Sequence, residues 1–430
     1  MKKYSIVLLV LFVVFSLCSC SLNLNPTDFM RPPKASGSEA KIEELIKTNA
    51  EDGYSLVYPK TGSNKSSVTY CDIDNGFTKV VACFKTLKDS KNHILFISIN
   101  NDDYNVVDCQ TLPVGDIDRI EFCDLDGDTK KELLVGIGDG TSTKNALYIY
   151  KFTDDYVVSY DTPCEYSSMV TGDFNKDSKN DLLLFCLSSA ESPAKAKLVT
   201  FSDNTITEHT SCELDSSVTK YISVSYCRLN DKIFGAVADG TDSDGVLSTQ
   251  IIYLNKNSAL ENPLFLYSGH RLTKRTDSIL SKDIDNDESV EIPIIPEASA
   301  KESIKSILWS GYDFDNMSLY TKKNAMYVAD EGYMINIPDR LLGAITAQYD
   351  EKERETTVYA FEYVGDTQKA TYELLKIKTF SKSDFESSTT GYAEITAAGS
   401  NVYAYSVPDD ENYLSISGDE VTNGFSLVTK

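Results

Sequence analysis

Histidine is almost missing: His93, His209 and His270 are the whole supply in 430 residues, and none has a partner at ligand or triad spacing. That removes most ways of building a neutral-pH general base or a histidine-held metal centre. A serine-nucleophile elbow, a zinc-protease helix and a phosphate-cradling loop are absent too, so the commonest hydrolytic and nucleotide-binding mechanisms have no carrier. Gly136-Ile137-Gly138-Asp139-Gly140 resembles a dinucleotide turn, but a second strand follows where a helix is required, so it reads as a turn between strands. Positive charge is scarce: 41 Lys and Arg against 65 Asp and Glu leave a net charge of −24. Such a surface repels nucleic acid and anionic headgroups. The one long apolar run, from Ile6 to Leu17 behind Lys2 and Lys3, is too short and wrongly flanked for a membrane span and reads as an export signal.

What is abundant is acid, and it is ordered. Three nine-residue segments share one pattern: Asp124-Leu-Asp126-Gly-Asp128-Thr-Lys130-Lys-Glu132, Asp173-Phe-Asn175-Lys-Asp177-Ser-Lys179-Asn-Asp181 and Asp283-Ile-Asp285-Asn-Asp287-Glu-Ser289-Val-Glu291. Each puts a carboxylate or carboxamide at positions 1, 3, 5 and 9. Ca²⁺ takes about six to eight oxygens, which such a loop supplies from those side chains and the backbone carbonyl of position 7, here Lys130, Lys179 and Ser289. Asp and Asn also favour metal-free turns. Recurrence of the same four oxygen positions makes up to three Ca²⁺ ions the expectation.

The segments also mark a repeat. Two worn versions, Asp72-Ile-Asp74-Asn-Gly76 and Arg228-Leu-Asn230-Asp-Lys232, keep its phase, so the starts fall at residues 72, 124, 173, 228 and 283. Val80 and Ala236 occupy position 9 in these two, and Arg228 occupies position 1, so neither is expected to hold an ion. An apolar run follows each loop, such as Leu133-Leu134-Val135 or Leu182-Leu183-Leu184-Phe185, and a second comes later, such as Leu147-Tyr148-Ile149-Tyr150. Short β-branched and aromatic runs bounded by Asp, Asn, Gly and Ser are strand chemistry. A period near 50 residues with several strands per unit implies propeller blades.

On these residues the chain resembles the FG-GAP or VCBS-type repeats of integrin α-subunit propellers, whose loops bind Ca²⁺ within a blade. The resemblance covers roughly residues 53–325. The layout is also similar to clostridial surface lipoproteins, which share Arg31-Pro32-Pro33, a short helix, Tyr58-Pro59 with Gly62, and then the repeats. The expected fold is mainly β: a propeller of about five blades, six or seven being the other counts, with a small C-terminal α+β domain. The expected divisions are a lipoprotein signal over 1–19, a tether over 20–35, a helix over 36–52, the propeller over 53–325 and the α+β unit over 326–430.

Leu17-Cys18-Ser19-Cys20 resembles a bacterial lipobox, which makes Cys20 the expected lipidation site and the two chains of a diacylglycerol the expected anchor. The other reading is an ordinary secretory signal. Ser36 and Glu39 fit a capping box ahead of Ile42, Leu45 and Ile46. Of ten cysteines, Cys71, Cys123 and Cys227 share one repeat position just before the loop, where Gly172 and Lys282 stand elsewhere. Equivalent positions around a ring seldom reach bonding distance, so most cysteines read as small buried hydrophobes rather than disulfides. After about residue 325 the acidic loops stop. Ser381 with Asp384, and Ser417 with Glu420, then read as helix caps.

The functional expectation is a lipid-anchored, extracytoplasmic, non-catalytic binding or scaffold protein at the cell membrane. Its partner would be a protein or a cell-wall glycan, and not nucleic acid. The alternatives are a carbohydrate-active hydrolase or lyase on a propeller fold, and an envelope-assembly factor.

Overall fold

A computed structural model describes residues 37–50, 53–73, 77–138, 143–153, 155–202, 205–266, 269–365, 367–387, 391–408 and 414–428. Cys20, the leader, the tether, Ser36 and the Asp74–Gly76 stretch lie outside the described residues.

The apolar runs become strands, and the strands form six antiparallel sheets in chain order, giving a mainly β propeller fold. Sheet one carries Tyr54–Leu56 and Val68–Ile73 along one edge of Phe77–Thr86, followed by Asn92–Asn100 and Asp103–Thr111. Sheet two is Asp116–Cys123, Glu132–Gly138, Asn145–Phe152 and Val157–Tyr166. Sheet three is Ser168–Gly172, Asp181–Cys186, Lys195–Ser202 and Thr205–Glu213. Sheet four is Lys220–Arg228, Phe234–Thr241, Leu247–Leu254 and Leu260–Glu261. Gly136 and Gly138 therefore lie inside a strand, not in the turn the sequence suggested. A Cβ on Gly136 would meet the Tyr166 hydroxyl, so the missing side chain makes room for a tyrosine.

The C-terminal third corrects the expected division. Sheet five begins with Ile292–Ile294 and Ile304–Asp313, and the boundary at 325/326 falls inside its next strand, Ser318–Val328. Tyr333–Ile337 and the final strand Phe425–Leu427 complete that sheet. Sheet six contains Ile345–Asp350, Glu355–Val364, Thr367–Ser381, Asn401–Ser406 and Ala393–Ala398. The C-terminal residues do combine strands with short helices, but they share sheet five with the repeats. Phe425 stacks on Tyr333 at 5.2 Å, which seats the last strand there. Both caps read from the sequence form: Ser417 and Glu420 make a full capping box, and the Ser381 hydroxyl accepts from Asp384 N–H at 3.1 Å.

Alternation along each strand puts one apolar set on each face, and consecutive sheets share a core. Val81, Cys83, Ile94 and Phe96 of sheet one pack on Leu133, Val135, Tyr150 and Phe152 of sheet two. Similar clusters join sheets two to three, three to four, four to five and five to six. The other face of sheet one, with Val80, Ala82, Phe84, Leu95 and Ile97, is covered by helix α1 (Ser38–Asn49) through Ile42 and Ile46. Gly37 is the N-cap of α1, with no side-chain cap bond. Among the described residues Cys83, Cys109, Cys123, Cys186, Cys212 and Cys227 are free thiols; Cys71, Cys83 and Cys123 are buried, and Cys186 and Cys227 partly so.

Candidate metal loops and a polar cleft

The first two intact acidic segments join the first strand of a sheet to the second, and the third leads into the first strand of sheet five. The residue before the segment pairs with its ninth residue in all three: Cys123 with Glu132, Gly172 with Asp181, and Lys282 with Glu291. That register explains the shared cysteine position. Gly172 breaks the pattern because the Tyr226 ring of sheet four fills the space a side chain would take, and the Tyr226 hydroxyl donates to the Asp173 carbonyl at 2.8 Å.

The backbone of the three loops is the same. Position 4 is left-handed in each (Gly127 φ 77°, Lys176 63°, Asn286 61°), and so is position 6 (Thr129 68°, Ser178 68°, Glu288 69°). Only one of these six is glycine, and L-residues rarely accept that region, so local bonding must hold the turns. The first aspartate supplies it: Asp124 accepts from Thr129 N–H at 3.0 Å, Asp173 from Ser178 at 3.0 Å and Asp283 from Glu288 at 2.9 Å. The fifth residue accepts from the seventh at 2.8, 2.9 and 2.8 Å. The ninth accepts from the N–H of the second, from Leu125 to Glu132 at 2.9 Å, Phe174 to Asp181 at 3.1 Å and Ile284 to Glu291 at 3.0 Å.

These bonds bury acid at position 9, with Lys322 Nζ against Glu291 in the third loop. Glu132 and Glu291 are 0 % exposed and Asp181 is 3 % exposed. Burial pushes Glu132 up to about 7 and Asp181 up to about 6, and it also raises Glu291. Glu132 Oε1 and Asp285 Oδ1 are buried without a hydrogen-bond partner. A buried carboxylate oxygen with no donor is costly, and a cation is one partner that could relieve it. Asp124, Asp126 and Glu132 converge so that ligand oxygens lie within 4.8 Å of one another, and Asp283, Asp285 and Glu291 do the same. In the second loop Asp173, Asn175 and Asp181 occupy the corresponding positions, the carboxamide replacing the middle acid.

At position 5, Asp128 and Asp287 stand outside the two triads, and their carboxylates are tied to Lys151 at 3.0 Å and Lys322 at 2.6 Å. Asp177 is instead approached by the Asn175 amide at 3.2 Å. Lys130, Lys179 and Ser289 each donate their N–H to the position-5 carboxylate, the bonds given above.

The loops touch in a row, which the sequence did not reveal. Asn180 of the second loop donates to the Asp124 carbonyl of the first at 3.0 Å, and Lys176 donates to the Lys232 carbonyl of the worn loop at 2.6 Å. Arg228 of the worn loop donates to the Asp287 carbonyl and pairs with Glu288 of the third loop at 3.6 Å. The residue that disqualifies its own loop thus clamps the next. Asn230 caps a tight turn by accepting from Lys232 and Ile233 N–H.

A second feature was also invisible in sequence. The first strands of sheets two, three and four line a cleft of about 440 Å³ with Thr61, Ser63, Arg119, Glu121, Ser168 and Thr171 on its walls. Its rim comes from the Tyr58–Gly62 segment, whose Lys60 and Thr61 N–H groups bond the Ile117 and Asp118 carbonyls at 3.2 and 2.7 Å. Arg119 reaches Glu121 at 3.4 Å, and Glu121 accepts from the Thr171 hydroxyl at 3.1 Å. Of the histidines, His209 is exposed, whereas His93 stacks on Phe84 at 5.4 Å with its side chain 14 % exposed. The His270 side chain lies outside the described residues.

No family model and no curated protein matches the chain. Among solved structures it is similar to a Lactobacillus plantarum protein, at 10 % identity over 73 % of this chain and 86 % of that one, with a TM-score of 0.29. It is also similar to the β-propeller domain of the Trilobed protease from Pyrococcus furiosus (11 % identity, 73 % and 89 % coverage, TM-score 0.27). A third likeness is to an exotype rhamnogalacturonan lyase (10 % identity, 73 % of each chain, TM-score 0.30). Likenesses of this strength carry nothing about activity.

Proposed function

We propose that the chain is an exported, lipid-anchored binding or scaffold protein on the extracytoplasmic face of the membrane, non-catalytic, with a propeller stiffened by Ca²⁺. The observation that carries it is the set of three loops with one backbone geometry and a buried acid at position 9. Bound calcium would supply the missing positive charge there. Asp124, Asp126, Asp128 and Glu132 would hold one ion, Asp173, Asn175, Asp177 and Asp181 a second, and Asp283, Asp285, Asp287 and Glu291 a third. Loops ordered in advance lower the entropic cost of recognition, which suits a binding face. The acidic surface favours a basic, neutral-glycan or cation-bridged partner.

Crosslinking in living cells, followed by mass spectrometry, should recover a specific protein or wall polymer. Co-purification with a membrane complex would assign the scaffold role to envelope assembly. Cys20→Ala should move the protein from membrane to medium; a wild type already soluble sinks the anchor. The cleft favours a rival reading, since Arg119 and Glu121 sit among hydroxyls in the way carbohydrate-active sites are built. Glycan turnover by purified protein, abolished by Glu121→Gln, would replace the scaffold reading with a hydrolase or lyase.

A further inference from the structure

In the first and third loops a lysine ammonium already sits among the acids. Lys151 Nζ lies 3.0 Å from both Asp126 Oδ2 and Asp128 Oδ2. Lys322 Nζ lies 2.6 Å from Asp287 Oδ2, 2.5 Å from Glu291 Oε1 and 3.9 Å from Asp285 Oδ1. The two come from non-equivalent strands. Lys151 is on the second strand after its loop, Asn145–Phe152, and Lys322 is on the third, Ser318–Val328. Two separate placements have produced the same arrangement. The second loop differs. Leu182 pairs with Val199 where Leu133 pairs with Tyr150, so Thr200 stands where Lys151 would. Among the described residues, the hydrogen bonds to the Asp173, Asp177 and Asp181 carboxylates come from backbone N–H groups and the Asn175 amide.

We propose that Lys151 and Lys322 are built-in counter-cations, so that Ca²⁺ enters the first and third loops only by displacing a lysine, while the loop over 173–181 is the resident ion site. This rests on the calcium reading above. Calcium needs carboxylate oxygens at about 2.3–2.6 Å, and an ammonium about 3 Å from the same oxygens excludes it. The two cations compete, and the apparent affinity for calcium falls by the fraction of molecules in which the lysine has left. Each of these two loops keeps one buried oxygen without a hydrogen-bond partner beside its lysine, Glu132 Oε1 in the first and Asp285 Oδ1 in the third. The second loop, with no lysine to displace, is therefore expected to bind ahead of the other two.

Equilibrium dialysis of Ca²⁺ against the full chain tests this without any activity assay. Wild type should show one tight site, lost in Asp181→Asn, and two weaker ones. Lys151→Met should tighten one weak site by about tenfold or more, and Lys322→Met the other, because each frees its loop from competition. Lys151→Arg keeps the cation and should leave that site weak. If both Met variants bind exactly as wild type does while Asp181→Asn still loses a site, the counter-cation idea is overturned and the calcium loops stand. If neither wild type nor variants bind calcium, the calcium reading falls and takes the idea with it.

Discussion

Glu132 shows how one side chain sets a solution property. Burial raises it to about 7 from an ordinary 4.5. A carboxyl raised on folding favours the protonated, folded form, so its contribution is complete below about pH 4.5 and is lost as pH rises towards 7. In chelator the protein should melt higher at pH 5 than at pH 8, by up to roughly 3 kcal/mol from this group, and Glu132→Gln should flatten the difference. Calcium should abolish it by fixing the ionised form. Gly172 is the second residue-scale case. Its Cβ position lies 2.4 Å from the Tyr226 ring, so Gly172→Ala should cost about 1–3 kcal/mol in urea unfolding. An unchanged midpoint would show that the ring moves aside easily. Neither effect was legible beforehand, since Tyr226 is a repeat away in sequence.

At the scale of elements, the connection after sheet four is pinned by a buried pair. Arg275 donates to Asp239 at 2.8 Å, to the Ile279 carbonyl at 2.6 Å and to the Thr273 carbonyl at 2.8 Å. Asp239 also accepts from the Ser281 N–H and hydroxyl at 2.7 and 3.0 Å. The network leads straight into the third loop at Asp283. Removing one partner of a buried pair leaves the other unpaired, so Arg275→Ala should cost about 3–5 kcal/mol, read by thermal melting. It should also weaken calcium at the third loop more than at the second. Strand positions within the repeats and both C-terminal caps were legible from local pattern. Strand ownership was not. Tyr333–Ile337 and Phe425–Leu427 are separated by all of sheet six, and antiparallel pairing together with packing of Tyr333 on Phe425 joins them.

For the whole molecule, sheets joined face to face behave as one unit, and the loops are linked through Asn180, Lys176 and Arg228. Calcium bound by the folded state alone raises stability by mass action, about 2.7 kcal/mol per site at a hundredfold excess over Kd. Melting temperature should therefore climb with Ca²⁺ and fall back in chelator. Identical melting in both would falsify the calcium reading.

The amino-acid sequence by itself determined the repeat, the strand-forming runs and the oxygen-rich loops, because these depend on residues a few positions apart. Position 9 could be recognised as acidic, and position 1 as a turn-former, from spacing alone. The tertiary structure decided which lysine faces which loop, that Arg228 serves a neighbour, that Gly172 yields to Tyr226, and that the C-terminal strands share sheet five. Each of these is a contact between segments distant along the chain, set by how sheets stack and not by local preference. Lys151 and Lys322 look like any surface lysine in the sequence until folding carries their ammonium groups into the acid.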